Sequence, residues 1–334
     1  MIKIVVVGFG FMGKTHTGNI LKNPSARLAA IVDKNTENIH ENLKGESGNF
    51  DTGSIDAEEL SKVNIYSDFA ECLKTEKPDA CVIAVHTNLH FEMAKTALEA
   101  GTHVFLEKPF TLDVEKGEEL LNRARKMNKI MMVGHVVRFM PPYQTLKNWI
   151  DSGELGRLEF LSLSRFSGVP AWGQWKDKQK DFGSSGGALF DLVIHDIDFA
   201  QWVCGVPVKI RANCLPGKLS NHDYVSALWK YGNTELNVKI EGGNTFHTQF
   251  PFQAGFSARF ENASVHYSTN DPDNITVTTD TETQTVSAGE GNDGFLSEIN
   301  YFLSCAEENK QPEKCMPESA LESIRICYRH TNDF

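Results

Sequence analysis

Met1-Ile2-Lys3-Ile4-Val5-Val6-Val7, the opening of the chain, runs directly into Gly8-Phe9-Gly10-Phe11-Met12-Gly13. A short apolar run followed by G-x-G-x-x-G predicts a buried strand that turns into a helix. In such a turn the first glycine permits the bend, the second lets the backbone approach a pyrophosphate, and the third lets helix and strand pack closely. Backbone N–H groups at the helix start then face the anion. The stretch predicts a dinucleotide-binding unit; the alternative is a glycine-rich turn with no ligand.

An acidic residue stands at the distance expected from this motif. Asp33 ends a second apolar run, about 20 residues after the glycines. An acidic side chain there accepts hydrogen bonds from both ribose hydroxyls of the adenosine half. A 2′-phosphate would meet its negative charge, so Asp33 favours NAD over NADP, although the neighbouring Lys34 is a cation that could help to tolerate NADP. Without a ligand, Asp33 would instead cap the next helix.

The first 133 residues have the alternating pattern of an α/β domain. Short apolar runs alternate with segments of helical periodicity, such as Phe91 to Leu98 and Val114 to Ala124, which predicts a Rossmann doubly wound parallel sheet over residues 1–133. The predicted strands are Ile2 to Val7, Arg27 to Asp33, Val63 to Tyr66, Ala80 to Val85, His103 to Leu106 and Ile130 to Val133. A polar insertion, His40 to Lys62, is either a mobile flap or an exposed loop without a role.

Residues 134–334 change to a period-two pattern that predicts antiparallel strands. These are Leu158 to Ser164, Tyr224 to Lys230, Thr234 to Ile240, Ala258 to Phe260 and Ile275 to Thr279. An open antiparallel sheet must bury one apolar face, so helices are expected to cover it. Two closing helices are predicted, Gly294 to Glu308 and Glu318 to Arg329, and the last helix could pack back on the first domain. The fold class is α/β, with a Rossmann domain followed by an α+β domain that has a large, mainly antiparallel open sheet.

The composition narrows the choice of partners and compartment. With 334 residues, 40% of them hydrophobic, the chain is long enough for two packed domains. A formal net charge of −11 argues against nucleic acid and anionic membrane surfaces. No signal peptide or membrane-spanning segment is predicted, and the seven cysteines contain no C-x-x-C pair that would suggest a zinc site. These features predict a protein of the reducing cytoplasm with no metal and no membrane partner.

Three further motifs place chemically active side chains near the predicted cofactor. Val85-His86-Thr87-Asn88-Leu89-His90 and Glu107-Lys108-Pro109 follow predicted strands, at the edge where open α/β sheets bind ligands. Asp191 and His195 lie four residues apart in a later segment with helical spacing, so both face the same side of that helix.

Taken together, these motifs resemble the Gfo/Idh/MocA family of NAD(P)-dependent oxidoreductases, named after glucose-fructose oxidoreductase, inositol dehydrogenase and a rhizopine-catabolism protein. The resemblance covers nearly the whole chain, with further support from Gly134-His135-Val136-Val137-Arg138-Phe139 and Ser152-Gly153-Glu154-Leu155-Gly156. It implies that Lys108, Asp191 and His195 form the catalytic set. It also implies a substrate-binding second domain, a homodimer or homotetramer, and a sugar, cyclitol or related polyol as substrate.

Four residues, at three places in the chain, depart from the family pattern. His86-Thr87 stands where the family often has Thr-Pro, Ser185 where it often has glycine, and Val193 where it often has glycine. None of these changes removes a reacting group. The first leaves the cofactor contacts of that loop open, and Val193 is expected to narrow the substrate pocket or to shift the helix.

The proposed chemistry gives each residue of the set a role. Hydride transfer from a carbinol carbon requires the hydroxyl proton to leave, and His195 is a suitable general base. Lys108 is expected to hydrogen-bond the same oxygen, and Asp191 to orient the imidazole or to bind another substrate hydroxyl. The structural alternatives for His195 are a core histidine with satisfied hydrogen bonds and a metal ligand together with Asp191.

Other residues are predicted around this set. The expected cofactor contacts are Gly8, Phe9, Gly10, Phe11, Met12, Gly13, Asp33, Lys34, Val85, His86, Asn88, His90, Glu107, Lys108 and Arg138. Arg138 and His135 either line the cleft or form a surface pair. Trp172 is predicted to bind substrate by stacking on a sugar face, as Trp175 could, although aromatic loop residues are equally often packing anchors.

The sequence as a whole favours an NAD-dependent oxidoreductase that transfers a hydride between the nicotinamide and a secondary alcohol or ketone of a sugar, cyclitol or related polyol. Two alternatives stay open at this point. One is an NAD-dependent glycoside-cleaving enzyme on the same fold, in which oxidation is transient. The other is a non-catalytic regulator that senses NAD or a sugar.

Overall fold

The computed structural model describes residues 1–39, 55–170, 185–232, 234–289 and 293–331. The strands are β1 (Ile2–Val7), β2 (Ala26–Val32), β3 (Asn64–Tyr66), β4 (Ala80–Ile83), β5 (His103–Glu107), β6 (Met131–Gly134), β7 (Leu158–Gly168), β8 (Lys209–Leu215), β9 (Tyr224–Lys230), β10 (Asn237–Phe246), β11 (Gln253–Phe260), β12 (Ser264–Ser268), β13 (Asp271–Thr278) and β14 (Thr283–Ser287). The α-helices are α1 (Phe11–Leu21), α2 (Ala57–Leu60), α3 (Phe69–Glu76), α4 (His90–Glu99), α5 (Val114–Lys126), α6 (Pro141–Ser152), α7 (Ile194–Cys204), α8 (Gly294–Glu308) and α9 (Pro317–Thr331).

The chain divides into two compact units. The first contains Met1–His135 and Phe295–Leu321, and the second contains Val136–Gly294 and Glu322–Phe334. Each unit has its own sheet.

The sheet of the first unit is parallel and has the strand order β3-β2-β1-β4-β5-β6. The predicted Rossmann sheet is therefore confirmed, with strand ends shifted by one or two residues. Its central strands are buried on both faces, and Val6, Ile31 and Val82 have no exposed surface. This explains why these strands are almost continuously apolar instead of alternating.

Helix α8 belongs to the first unit, although it follows the whole second sheet in the sequence. Its Phe302 is fully buried and packs edge-on against Phe105 of β5, with ring centroids 5.6 Å apart. Asn300 of α8 accepts a hydrogen bond of 2.7 Å from Asn23, just after α1. These contacts fix α8 against the elements that carry the cofactor motifs.

The sheet of the second unit has eight strands in the order β14-β13-β12-β11-β7-β10-β9-β8. Neighbouring strands are antiparallel except for β7 and β10, which run parallel. The mainly antiparallel open sheet is confirmed, but β8, β12 and β14 were not predicted. In β7, Leu161 and Leu163 are buried whereas Ser162 and Ser164, which alternate with them, are partly exposed, so one face carries the core.

Helix α7 and the turn before it cover the buried face of this sheet. Both pack on β10, and α7 also packs on β7. No helix in the part of the chain that the structure describes is long and apolar enough to cross a membrane.

Candidate active site

The glycine motif forms the turn between β1 and α1. Gly8 has φ +92°, and a Cβ added there would lie 2.5 Å from the Ala84 carbonyl oxygen. A Cβ at Gly13 would lie 1.9 Å from the Gly8 oxygen, so these two positions require glycine. At Gly10, by contrast, a Cβ would meet no atom within 4 Å, and no side chain caps the helix that starts after it. The open space at a helix N-terminus fits a cofactor pyrophosphate.

Asp33 braces this turn from the end of β2. Its Oδ2 accepts the Phe9 N–H at 2.7 Å, and its Oδ1 accepts the Asn35 N–H at 2.8 Å. Asp33 is only partly buried and Lys34 is exposed. The carboxylate is thus held in a defined orientation beside the glycine turn, with surface left for a ribose.

The residues in the segment after β4 differ in exposure, and only the exposed or partly exposed ones have surface that a ligand could contact. His86 and Asn88 are exposed and Val85 is partly exposed, whereas His90 is only 1% exposed. The His90 Nδ1 lies 2.8 Å from the Pro109 carbonyl oxygen, and its Nε2 lies 3.1 Å from the Val85 carbonyl oxygen. Burial lowers the pKa of His90. The side chain therefore joins two loops, as a helix-start residue would, and its predicted contact with the cofactor stays a prediction.

Glu107 and Lys108 follow at the end of β5, and the Lys108–Pro109 peptide is cis. Glu107 is buried, and its Oε2 accepts the Lys108 N–H at 3.1 Å. The Lys108 side chain is partly exposed between buried neighbours. One helix residue that the sequence analysis missed, His16, is fully buried with its Nε2 2.6 Å from Glu107 Oε1.

The residues named so far share one edge of the first sheet. They follow the carboxyl ends of β1, β2, β4 and β5, and the order of strands reverses between β1 and β4. Ligands of doubly wound sheets bind at this switch point, where the connections leave to opposite faces.

In the second unit, Asp191 and His195 stand out by exposure. Residues 187–200 are described throughout, and every one of them is buried except Asp191 and His195, which are partly exposed. Asp191 lies in a π-helical turn, Leu189–Val193, and His195 lies in the first turn of α7. Turns of this kind are rare and are frequent at functional sites. Both side chains therefore keep exposed surface within a stretch, 187–200, that is otherwise buried.

The two glycines before this helix are required by the backbone. Gly186 has φ +92° and Gly187 has φ +72°, and a Cβ at Gly187 would lie 2.0 Å from Ser220 Oγ. Ser185, which stands where the family often has another glycine, is buried. Val193 has no exposed surface, and its Cγ2 would lie 3.3 Å from a Cβ at Gly242 of β10. It packs on the sheet, so the expectation that Val193 narrows a pocket is not supported.

Two buried ion pairs anchor α7. The Arg138 guanidinium donates to both carboxylate oxygens of Asp198 at 2.7 Å, and Asp198 also accepts the Ser323 hydroxyl at 2.9 Å. Arg165 of β7 donates to Asp196 at 2.8 and 3.1 Å. Arg138 is 1% exposed, so the surface pair considered for it is wrong, and His135 is equally buried. Cofactor binding by Arg138 stays a prediction.

Some predicted features lie outside the described residues. Trp172 and Trp175 are among them, as are residues 40–54 of the predicted insertion. The remainder of that insertion contains the short helix α2.

Comparison with family models covers both halves of the chain. Residues 2–135 match an oxidoreductase family with an NAD-binding Rossmann fold, designated GFO/IDH/MocA. Residues 143–286 match the GFO/IDH/MocA C-terminal domain.

Curated relatives include two dehydrogenases of cyclic polyols and sugars. The scyllo-inositol 2-dehydrogenase (NAD(+)) of Bacillus subtilis is 28% identical over 236 residues, which are 70% of this chain and 61% of that protein. The D-glucoside 3-dehydrogenase of Escherichia coli is 33% identical over 215 residues, 64% of this chain and 56% of that protein. The matched region is thus less than two thirds of either relative.

Solved structures share the fold over nearly the whole chain. Levoglucosan dehydrogenase, in a complex with NADH and levoglucosan, superimposes with a TM-score of 0.82 at 19% identity, covering 99% of this chain and 96% of that one. UDP-N-acetylglucosamine 3-dehydrogenase from Acidithiobacillus ferrooxidans gives a TM-score of 0.78 at 20% identity, covering 98% and 95%. At these identities the likeness establishes the fold.

Proposed function

Because this chain belongs to the Gfo/Idh/MocA oxidoreductase family, we propose that it is an NAD-dependent dehydrogenase that oxidises a secondary alcohol of a sugar, cyclitol or related polyol, or reduces the corresponding ketone. The observation that carries the proposal is the selective exposure of Asp191 and His195 within residues 187–200, a helical stretch whose other residues are all buried. A helical stretch that served only for packing would be expected to carry buried apolar side chains at these two positions, instead of a partly exposed aspartate and histidine. By their names, two of the relatives above are dehydrogenases of an inositol and of a glucoside, which supports a cyclic polyol as the substrate class.

His195 is the proposed general base in the oxidation. Its imidazole takes the proton of the substrate hydroxyl as the carbon–oxygen double bond forms, and it returns that proton in the reverse direction. Bound NAD supplies the acceptor for the hydride that leaves the same carbon. The Lys108 ammonium hydrogen-bonds the substrate oxygen and stabilises its alkoxide character. Asp191 either orients the His195 imidazole or binds a neighbouring hydroxyl.

NAD is the proposed cofactor in preference to NADP. The Asp33 carboxylate is fixed by two backbone N–H groups next to the glycine turn, and it retains exposed surface. A carboxylate in that place accepts ribose hydroxyls and repels a 2′-phosphate. Lys34 is exposed, and we expect it to contribute less than Asp33 to the choice between NAD and NADP.

A homo-oligomer that uses the open face of the second sheet is also proposed. Leu228 of β9 and Leu215 of β8 are 49% and 45% exposed on this sheet, and association of two such faces would bury both side chains. The oligomeric state is measured directly by light scattering coupled to size-exclusion chromatography.

All seven cysteines have free thiols, which supports a reducing cytoplasmic environment.

The test of the proposed function is NADH formation by the purified chain with NAD and a panel of inositols, aldoses, glycosides and sugar acids. We expect the wild type to reduce NAD with a cyclic polyol and Lys108→Ala to be inactive. Lys126→Ala, which removes an exposed lysine of α5, is the matched control and keeps full activity. Cleavage of a glycoside without net NADH formation, or tight binding of NAD and sugar without turnover, would reject the proposal in favour of the other two functions considered from the sequence.

A further inference from the structure

A buried group of three titratable side chains lies next to the backbone of Lys108. His16 comes from α1, Glu107 from the end of β5 and Glu298 from α8, and their side chains are 0%, 5% and 0% exposed. One nitrogen or oxygen atom of each residue lies within 4.8 Å of the corresponding atoms of the other two. Nothing in the dehydrogenase chemistry proposed above uses His16 or Glu298.

The Glu107 carboxylate connects His16 to the Lys108 backbone. Its Oε1 is 2.6 Å from His16 Nε2, and its Oε2 accepts the Lys108 N–H at 3.1 Å. The His16 ring also packs edge-on against Phe105, with centroids 5.0 Å apart, which helps to exclude water. A hydrogen bond in such a dry environment is strong and directional. A displacement of the imidazole is thereby transmitted to the peptide of Lys108.

The distance between His16 and Glu107 fits a direct hydrogen bond better than two ligands of one metal ion. A separation of 2.6 Å is that of a short hydrogen bond. Two ligands of one tetrahedral zinc ion would be about 3.3 Å apart, given metal–ligand distances of about 2.0–2.1 Å. Two buried carboxylates this close together also repel strongly unless a proton or a cation is shared with them. The group is therefore a hydrogen-bonded cluster in preference to a metal centre.

A second buried histidine holds the other side of the same segment. His90 lies 2.8 Å from the Pro109 carbonyl oxygen through Nδ1. Lys108 thus stands between two fixed points, the Glu107 carboxylate held by His16 and the Pro109 carbonyl held by His90. Both histidines lie on helices that start at cofactor-facing loops, α1 after the glycine turn and α4 after β4.

We propose that His16 is a positioning residue, which sets the place of the Lys108 ammonium through Glu107; this inference rests on the dehydrogenase function proposed above. The rate of a proton and hydride transfer depends steeply on the position of the groups around the reacting oxygen, and a displacement of 1 Å can cost about 100-fold. His16 occupies α1, the helix whose first turn faces the cofactor.

Two substitutions of His16 separate positioning from packing. His16→Gln keeps an N–H donor near the place of Nε2, whereas His16→Leu keeps a comparable volume and removes the donor. We expect His16→Leu to lower kcat about 100-fold with little change in the Kd for NADH, measured by NADH fluorescence. We expect His16→Gln to restore most of the loss in kcat. Equal kcat in the two variants would overturn the proposal, because a packing role does not distinguish them.

A second readout does not depend on turnover. Hydrogen–deuterium exchange of a peptide that covers β5 and Lys108 should become faster in His16→Leu and return towards the wild-type rate in His16→Gln. His103→Leu is the matched control, because His103 starts the same strand, four residues before Glu107, and its Nδ1 accepts the Ile130 N–H at 3.0 Å. It should leave kcat and exchange at Lys108 unchanged. An inactive wild type with the predicted exchange pattern would reject the proposed function alone, whereas an active His16→Leu with unchanged exchange would reject the positioning role.

If His16→Leu does not fold, the same test uses the double variant that carries both His16→Leu and Glu298→Gln. Without the imidazole, the cluster retains two buried carboxylates, and removing the charge of Glu298 relieves their repulsion. The double variant should fold and keep the low kcat of a chain that lacks the His16 donor. Recovery of kcat in the double variant would contradict the proposal, and so would a stoichiometric metal ion found in the wild type by elemental analysis.

Discussion

Among single residues, His195 has the proposed role that a substitution tests most directly. We predict that His195→Asn lowers kcat by about 100-fold or more, since general base catalysis contributes about 10²–10⁴-fold. The Kd for NADH should stay near the wild-type value, because the imidazole has no role in holding the cofactor. Steady-state kinetics and NADH fluorescence measure the two effects. His266→Asn on the exposed sheet is the control; similar kcat losses in both variants would argue against a base at His195.

Asp33 carries the prediction about cofactor choice. We predict that Asp33→Asn raises KM for NAD about 10-fold or more, because a hydrogen bond to a charged group contributes about 1.5–3 kcal/mol. Use of NADP should improve, since the repelling charge is gone while one side-chain oxygen still accepts the Phe9 N–H. The ratio of kcat/KM for the two cofactors is the measurement. An unchanged ratio would place the discrimination elsewhere, with Lys34 the first residue to examine.

Residues differed in how far the sequence could reveal them. The roles of Gly8 and Gly13 followed from motif spacing, and both are confirmed by the atoms that a Cβ would meet. His16 was missed because its partner Glu107 is 91 positions away in the sequence. The signal that could have found it is a polar residue on the buried side of α1. The pairing of Asp198 with Arg138 was not predicted, because spacing along a helix does not reveal the partner across it.

At the scale of elements, the start of α7 depends on a buried charge. We predict that Arg165→Met lowers the free energy of unfolding by about 3–5 kcal/mol, because it leaves Asp196 buried without its cation. The Asp196 carboxylate raises the pKa of Arg165 even though burial alone would lower it, so the guanidinium is charged throughout the working pH range. Urea unfolding measures the loss.

Two further variants make this prediction specific. Arg157→Met removes an arginine whose side chain is 72% exposed, and it should change stability by less than about 0.5 kcal/mol. Asp196→Leu added to Arg165→Met should recover most of the lost stability, since an apolar pair can replace a buried ion pair. A double variant as unstable as the single one would show that the loss comes from packing.

Sequence periodicity located some elements better than others. Strand β9 and helix α8 have the bounds predicted for them, because clear alternation or helical spacing is bordered by turn residues. Strand β8 was missed, since it alternates between exposed and only partly buried residues at the edge of the sheet. The π-helical turn at Asp191 has no distinct sequence signal.

At the scale of the whole molecule, buried histidines determine the response to acid. In α9, His330 is 2% exposed, its Nδ1 faces the Ile326 carbonyl at 2.8 Å, and its Nε2 accepts the Trp229 N–H at 3.0 Å. This arrangement requires the neutral ring, and burial lowers the pKa of His330 from 6.5 to about 4. Burial also lowers the pKa of His90 and of His103.

These pKa values predict a loss of stability in mild acid. A pKa lowered by folding means that the unfolded chain takes up the proton first, so stability falls as the pH drops from about 6.5 towards 4. His330 alone should cost about 2 kcal/mol between pH 7 and pH 5. Urea unfolding at the two pH values measures this, and His330→Gln should reduce the difference. A free energy of unfolding that is equal at both pH values, or higher at pH 5, would contradict the assignment of a neutral His330.

The two-sheet architecture could be predicted for a physical reason. A parallel sheet covered on both faces produces continuous apolar strands, and an open antiparallel sheet produces alternation, so the change of pattern near residue 134 separates the two. The return of α8 to the first unit could not be predicted in the same way. Its contacts with β5 and α1 join residues almost 200 positions or more apart, and local periodicity contains no information about them.

The proposed reaction transfers a hydride from a polyol carbon to the nicotinamide of NAD. Mass spectrometry of the NADH formed shows this transfer when the active member of the panel carries deuterium on its ring carbons. We expect NADH one mass unit heavier than normal, in an amount equal to the ketone formed, with wild type and not with Lys108→Ala. Unlabelled NADH, or consumption of the polyol without NADH, would contradict it.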